Sequence, residues 1–127
     1  MYVESSLNCL LKMILIIFNN LIIGVEMSFE ILVGLNVIDD LKYNDYRTAM
    51  KPILVNYEGQ FGYDFKVSEV LISEGHTDIN RVFTINFSSK DKMDGFFSDP
   101  QYLVVKEQYF IASVANATII SSYEKDS

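Results

Sequence analysis

Tyr46, Tyr63, Arg81, Tyr102 and Lys106 are the side chains of this sequence best suited to gripping a small organic ligand. A tyrosine supplies a flat apolar surface with one hydroxyl, and Arg or Lys holds an anionic group. A plainer reading stands beside this one. Tyr46 and Tyr102 fall on apolar helical stripes and would be ordinary core, while Arg81 would pair with Asp64 or Glu69 across a hairpin, a surface ion pair of little weight. His76 is the sole histidine, in the loop Glu-Gly-His-Thr-Asp. Histidine is the usual general acid or base. No Ser, Cys or metal set accompanies it, so an exposed loop residue is the simpler account. Glu74, His76 and Asp78 alternate, but one histidine with two flexible carboxylates makes a poor metal site, and no metal is expected. Gly59-Gln60-Phe61-Gly62 lacks the lysine and following helix of a phosphate loop. No catalytic residue is assigned from the sequence, and no cofactor is expected.

The whole chain sets bounds on these candidates. At 127 residues it fits one domain, and half of its residues are apolar. Its formal charge of −7 is thinly spread and contains no basic run. Nucleic-acid binding by phosphate neutralisation is therefore not expected. Cys9 is the only cysteine, which excludes an intrachain disulfide and fits a reducing, cytoplasmic compartment.

Residues 1–26 do not match the remainder, and a domain is expected over residues 27–127. The apolar runs Met13 to Phe18 and Leu21 to Val25 are split by Asn19-Asn20. Three readings compete for this non-domain extension. The preferred one is a start assigned too early: Met27 begins at the first clean strand, and Gly24-Val25-Glu26 is compatible with a bacterial ribosome-binding sequence just upstream of its codon. A membrane anchor or export signal is the second, although Lys12, Asn19 and Asn20 interrupt the apolar window and no small-residue cleavage site follows. The third is a genuine appended helix. No membrane partner is expected unless this segment is translated, in which case the protein would be anchored or exported.

From Met27 onward the periodicity gives a definite order. Phe29, Ile31, Val33, Leu35 and Val37 alternate as a strand. Asp39 or Asp40 caps a helix whose apolar stripe is Tyr43, Tyr46, Met50, Ile53, Leu54 and Tyr57. Pro52 should kink or split that helix, and Gly59 suits a left-handed cap at its end. Phe61 to Ser73 reads as a longer strand with a bulge near Ser68, followed by the polar loop Glu74 to Asn80 and an antiparallel strand, Arg81 to Phe87. Ser88 or Ser89 caps a short helix reaching Phe97. Asp99 then caps another, with Pro100 in its first turn and Tyr102, Val105, Tyr109 and Phe110 as its apolar stripe. Ala115 to Tyr123 is the last strand. The order βαββαβ predicts an α+β fold: a four-stranded antiparallel sheet with helices on one face, the ferredoxin-like arrangement.

The two faces of that sheet should differ. Ile31, Val33, Leu35, Phe83, Ile85 and Phe87 are wholly apolar and belong beneath the helices. The other face carries Leu32, Gly34, Asn36, Val82, Thr84 and Asn86. It is too apolar for a solvated surface, yet Asn36 and Asn86 offer amides to a ligand or partner. Its expected use is a twofold contact in which two sheets pack back to back as a homodimer.

These residues resemble a known family. Asp39, Tyr43 and Tyr46 at the start of the first helix, Pro52, the strand carrying Arg81, and Phe96-Phe97-Ser98-Asp99-Pro100-Gln101-Tyr102 are similar to the domain-of-unknown-function 1330 family, over Phe29 to Glu124. The resemblance implies a subunit of the dimeric α+β barrel superfamily, in which two ferredoxin-like subunits join sheets. The superfamily includes small monooxygenases and decarboxylases that use a cleft between helices and sheet, whereas this family has no assigned reaction, so any catalytic reading is fold analogy. Three functions follow as expectations. The first is a homodimer binding a small organic ligand in such a cleft. The second is a cofactor-independent enzyme, monooxygenase- or decarboxylase-like, acting on a small aromatic or polyketide-like substrate. The third is a structural or interaction dimer.

Overall fold

Strict alternation on two strands and apolar stripes on the helices leave one way to remove the hydrophobic side chains from water: a sheet with its helices on one face. The computed structural model, which describes residues 8–15 and 27–126, has that form. In chain order its elements are β1 (Ser28–Val37), α1 (Asp40–Asn56), β2 (Gly59–Lys66), β3 (Arg81–Phe87), α2 (Lys90–Ser98), α3 (Pro100–Val105), a π-helical turn (Lys106–Phe110), α4 (Ile111–Ser113) and β4 (Val114–Lys125). The strands lie in the order β2-β3-β1-β4, all pairs antiparallel, which is the ferredoxin-like topology. Pairing of Ile31 with Ile85 and of Val33 with Phe83 puts the apolar rows side by side beneath the helices. Tyr43, Tyr46, Met50, Ile53 and Leu54 of α1 close the core from above, joined by Phe96 and Tyr102.

The helix starts follow local chemistry. Asp39 caps α1 by accepting from the Lys42 N–H, and Ser89 caps α2 by accepting from that of Lys92. Asp99 accepts from the Gln101 and Tyr102 amides at the start of α3. The same carboxylate receives the Tyr57 hydroxyl at 2.6 Å, which ties the end of α1 to the break between α2 and α3. At the other end of the helical layer, the Ser113 carbonyl accepts from the Ile38 and Asp39 amides.

The sequence expectations need correcting at four places. Pro52 does not split α1, which runs unbroken from Asp40 to Asn56. A helix-interior proline costs about 3 kcal/mol, whereas burial of the flanking Met50, Ile53 and Leu54 contributes about 1.5–3 kcal/mol each. The left-handed residue after α1 is Glu58, with φ of 56°, and not Gly59. Gly59 is needed for a different reason, because a Cβ there would lie 2.4 Å from Leu54 Cδ1 and 2.9 Å from the Phe87 ring. β2 ends at Lys66, well short of Ser73, since β3 begins at Arg81 and leaves residues beyond Val67 without a strand partner. The β2 bulge lies between Phe61 and Asp64, and not at Ser68. There the Thr84 hydroxyl accepts from the Tyr63 amide in place of a ladder carbonyl. This bulge inverts the strand's phase: Phe61 and Asp64 lie opposite the core residues Ile85 and Phe83, while Phe65 pairs with Val82 on the outer face.

Residues 8–15 form a short exposed helix. The rest of the N-terminal stretch, and with it the choice among an early start, an anchor or signal and an appended helix, lies outside the described residues. Among those described, no helix is long and apolar enough to cross a membrane.

Candidate functional site

A cavity of about 210 Å³ lies between the helices and the sheet. Ile31, Val33 and Leu35 of β1, Phe83 and Ile85 of β3, and Ala117 and Ile119 of β4 form its floor. Tyr46 of α1, Phe97 of α2, Tyr102 of α3, and Lys106 and Phe110 of the π turn form its roof. Lys106 and Ile119 are exposed and mark the mouth. The floor follows from strand alternation, and the roof depends on the broken second helical segment. Asp99-Pro100 restarts the chain so that Tyr102 points inward, where its ring lies 4.4 Å from Phe96 and 5.6 Å from Phe97. The π turn, closed by an Ile111 N–H to Lys106 carbonyl bond, then places Lys106 and Phe110 on the same lining. The Phe110 ring sits 5.0 Å from Tyr46. Isolated π turns inside helices are often found at functional sites.

The hydroxyls of Tyr46 and Tyr102 are 2.8 Å apart in this lining, although the residues are only 5% and 4% exposed. Each phenol carries one donor proton. One proton joins the pair, and among the described residues the second hydroxyl has no acceptor. Burial raises the pKa of both phenols, and at Tyr46 the adjacent Tyr102 adds to the effect. The pair therefore stays protonated and keeps one donor for whatever enters the cavity. Among the described residues Lys106 is the only charged one in the lining, and its side chain makes no hydrogen bond or ion pair with them.

The other sequence candidates lie elsewhere. Arg81 is on the helix-facing side of the sheet but is held by Asp64, its Nε at 2.7 Å and an Nη at 2.9 Å. Arg47 meets the same carboxylate at 3.2 Å, accepts nothing, and donates its Nε proton to the Tyr43 hydroxyl at 2.7 Å. Its guanidinium lies 4.0 Å from the Phe61 ring centre. A shallow hollow of about 150 Å³ adjoins Arg81, but the guanidinium is already engaged. Tyr63 is 63% exposed and stacks on Phe65 at the outer edge of the sheet. Asn36 and Asn86 also lie on the outer face and serve the fold. Asn86 donates to Ser28 Oγ at 3.0 Å and to Glu30 at 3.4 Å, and Asn36 receives Asn80 at 3.4 Å. His76 is exposed, with φ of 52°. Among the described residues, no three His, Cys, Asp or Glu side chains converge as a metal site.

A larger groove of about 380 Å³ runs between residues 72–79 and β4, lined by Ile72, Ile79 and Ile120 among others. Size does not decide between the two. The groove is bordered by open residues, Ile72 being 92% exposed, whereas the smaller cavity presents a buried donor with nothing to bond. Of the seven ligand candidates, the structure brings Tyr46, Tyr102 and Lys106 together. The aromatic walls Phe97 and Phe110 were absent from the sequence candidates. Phe110 carried a signal in its place on the helical stripe, and Phe97 in its place within the Phe96 to Tyr102 motif of the family resemblance.

The family described as "Domain of unknown function (DUF1330)" matches residues 31–123. The chain belongs to that family. Solved structures extend the likeness of this DUF1330 chain at the level of fold. A protein of unknown function from Rhodopseudomonas palustris, RPA0582, is 16% identical with a TM-score of 0.65, covering 80% of this chain and 85% of that one. A DABB-family protein with a ferredoxin-like fold from Mesorhizobium loti is 14% identical with a TM-score of 0.57, covering 77% and 96%. A dimeric ferredoxin-like protein of unknown function from Thermobifida fusca is 10% identical with a TM-score of 0.51, covering 77% and 91%. No curated protein matches the DUF1330 chain.

Proposed function

We propose that this protein is a homodimer that binds a small organic molecule in the cavity between its helices and sheet. The carrying observation is the Tyr46–Tyr102 hydroxyl pair, buried in a chamber whose other described lining residues are apolar apart from Lys106, with one donor left over. A buried donor without an acceptor costs about 1–3 kcal/mol, and a ligand oxygen would remove that cost. Volume bounds the ligand. An apolar cavity of about 150 Å³ holds benzene, so about 210 Å³ accommodates one ring with small substituents.

The dimer reading rests on the outer sheet face. Leu32, Val82 and Asn86 are only half-buried there, and Tyr63, Phe65 and Ile120 are exposed. A stable contact covers about 800 Å² on each partner. The Thermobifida fusca relative is described as dimeric, which supports this reading. The proposed setting is the cytoplasm, which the free and exposed Cys9 fits.

A second reading is a cofactor-independent enzyme. It is favoured by the same phenols, which stay protonated and can donate to an oxygen that gains charge during reaction. The cavity volume then points to a single activated ring over a fused polyketide.

A thermal-shift screen of single-ring and short-chain metabolites tests the binding reading. A ligand present at one hundred times its Kd adds about 2.7 kcal/mol of stability. Ala117→Leu, on the cavity floor, should abolish the shift. A screen with no stabilising compound, or shifts that persist in Ala117→Leu, would overturn the proposal.

A further inference from the structure

Resting on the binding reading above, we infer that the ligand is a compact single-ring carboxylic acid with a second oxygen at its far end. Its carboxylate meets Lys106 at the mouth, and its far oxygen accepts from the Tyr46–Tyr102 pair. Three observations converge on this class. Among the described residues the lining contains one cation and no carboxylate, in a chain whose formal charge is −7. The exposed position of Lys106 lets an ammonium stay partly hydrated until an anion replaces that water. In the buried part of the chamber the polar side chains of the described lining are the two phenols, whose shared proton leaves one donor. The rest of the described lining is aliphatic and aromatic, with the rings of Phe97 and Phe110 flanking the tyrosines. A ligand matching this polarity is charged where it meets solvent, apolar in its body and an acceptor where it is buried.

The two ends make separable demands. A neutral molecule of the same shape would satisfy the phenols and leave the lysine without a counter-ion. A plain aromatic acid would do the reverse. A molecule much longer than one ring would leave either its charge or its far oxygen outside, because the chamber is only about 210 Å³.

The test titrates the full chain with 4-hydroxybenzoate, benzoate, 4-hydroxybenzamide and toluene, by calorimetry or ligand-observed NMR. The expected order is 4-hydroxybenzoate tightest, with the amide and benzoate each at least tenfold weaker. Lys106→Met should erase the preference for acid over amide, and Lys106→Arg should keep it. Tyr46→Phe/Tyr102→Phe, which removes both phenol protons, should reduce the preference of 4-hydroxybenzoate over benzoate without touching that of acid over amide. Equal binding of acid and amide, or a preference that survives Lys106→Met, overturns the inference. Toluene binding without any of the three oxygenated probes leaves the cavity as a binding site and removes the acid class. Failure of all four probes, toluene included, removes the inference and the cavity reading together.

Discussion

Arg81 holds both carboxylate oxygens of Asp64, at 2.7 and 2.9 Å, and does so only because a bulge turns Asp64 towards the helices. Arg47 of α1 joins the same carboxylate, so one anion serves two guanidiniums that are each less than a fifth exposed. Removing one member of a fully buried pair costs about 3–5 kcal/mol, and an exposed pair contributes about 0–1 kcal/mol. For this partly buried cluster, Asp64→Asn should cost about 1–2 kcal/mol in urea unfolding at neutral pH.

The pH dependence of that loss has a definite sign. The hydrogen bond from Arg81 holds the Asp64 carboxyl below its ordinary range, against the opposing effect of partial burial, and the charge of Arg47 assists. The stabilisation is complete above the ordinary aspartate pKa of about 4 and fades as pH falls through the lower folded value. Urea midpoints of wild type and Asp64→Asn should therefore converge in acid. A gap that stays constant down to about pH 2 would exclude ionic linkage.

Tyr46 and Tyr102 should behave as one unit. Each single Tyr→Phe change leaves a buried hydroxyl without its partner and costs about 1–2 kcal/mol. In Tyr46→Phe/Tyr102→Phe both hydroxyls are gone, so the total should fall short of the sum by at least about 0.5 kcal/mol. Additive costs in the unfolding cycle would show that the 2.8 Å contact carries no coupling.

Gly59→Ala should destabilise by about 1–3 kcal/mol through overpacking. Its new methyl would press on Leu54 and Phe87, which are both fully buried and cannot turn aside into solvent. Thermal unfolding reads the loss directly, and an unchanged Tm would mean that the Leu54 side chain yields freely.

Leu32 sits mid-strand on the outer face, paired with Thr84 and Ser121. Leu32→Lys should lower the sedimenting mass from twice 14.6 kDa to 14.6 kDa while leaving the helical circular dichroism intact. A wild-type chain that sediments as a monomer would remove the dimer.

The parts legible in the sequence are those set by near neighbours. Alternation in Phe29 to Val37, and the caps Asp39, Ser89 and Asp99-Pro100, depend on residues a few positions apart, so their spacing revealed both the elements and the core-facing rows. The site is legible only in part because its contacts are remote. Tyr46 meets Tyr102 across 56 positions, and no periodicity reports which stripe tyrosines will touch. Arg81 and Lys106 were equal as ligand candidates. The alternative read for Arg81, a pair with Asp64 or Glu69, is the one that forms, with Asp64, because the β2 bulge turns that carboxylate onto it. That bulge depends on a Thr84 hydroxyl 21 positions away from the amide it serves. Pro52 misled for a related reason, since local propensity predicted a break that the burial of its neighbours overrides.

The turn from Lys106 to Phe110 also bears on how this chain can change length. Its hydrogen bond spans five residues where an α-helix spans four, so it stores one surplus residue inside an otherwise regular helix. Losing a residue there would tighten the loop to ordinary α geometry while Tyr102 before it and β4 after it keep their places. Loss of a residue from β4 itself would instead flip Ala117 and Ile119 out of the chamber floor. Relatives one residue shorter should carry their gap in this turn, and with it a differently aimed cation at the mouth.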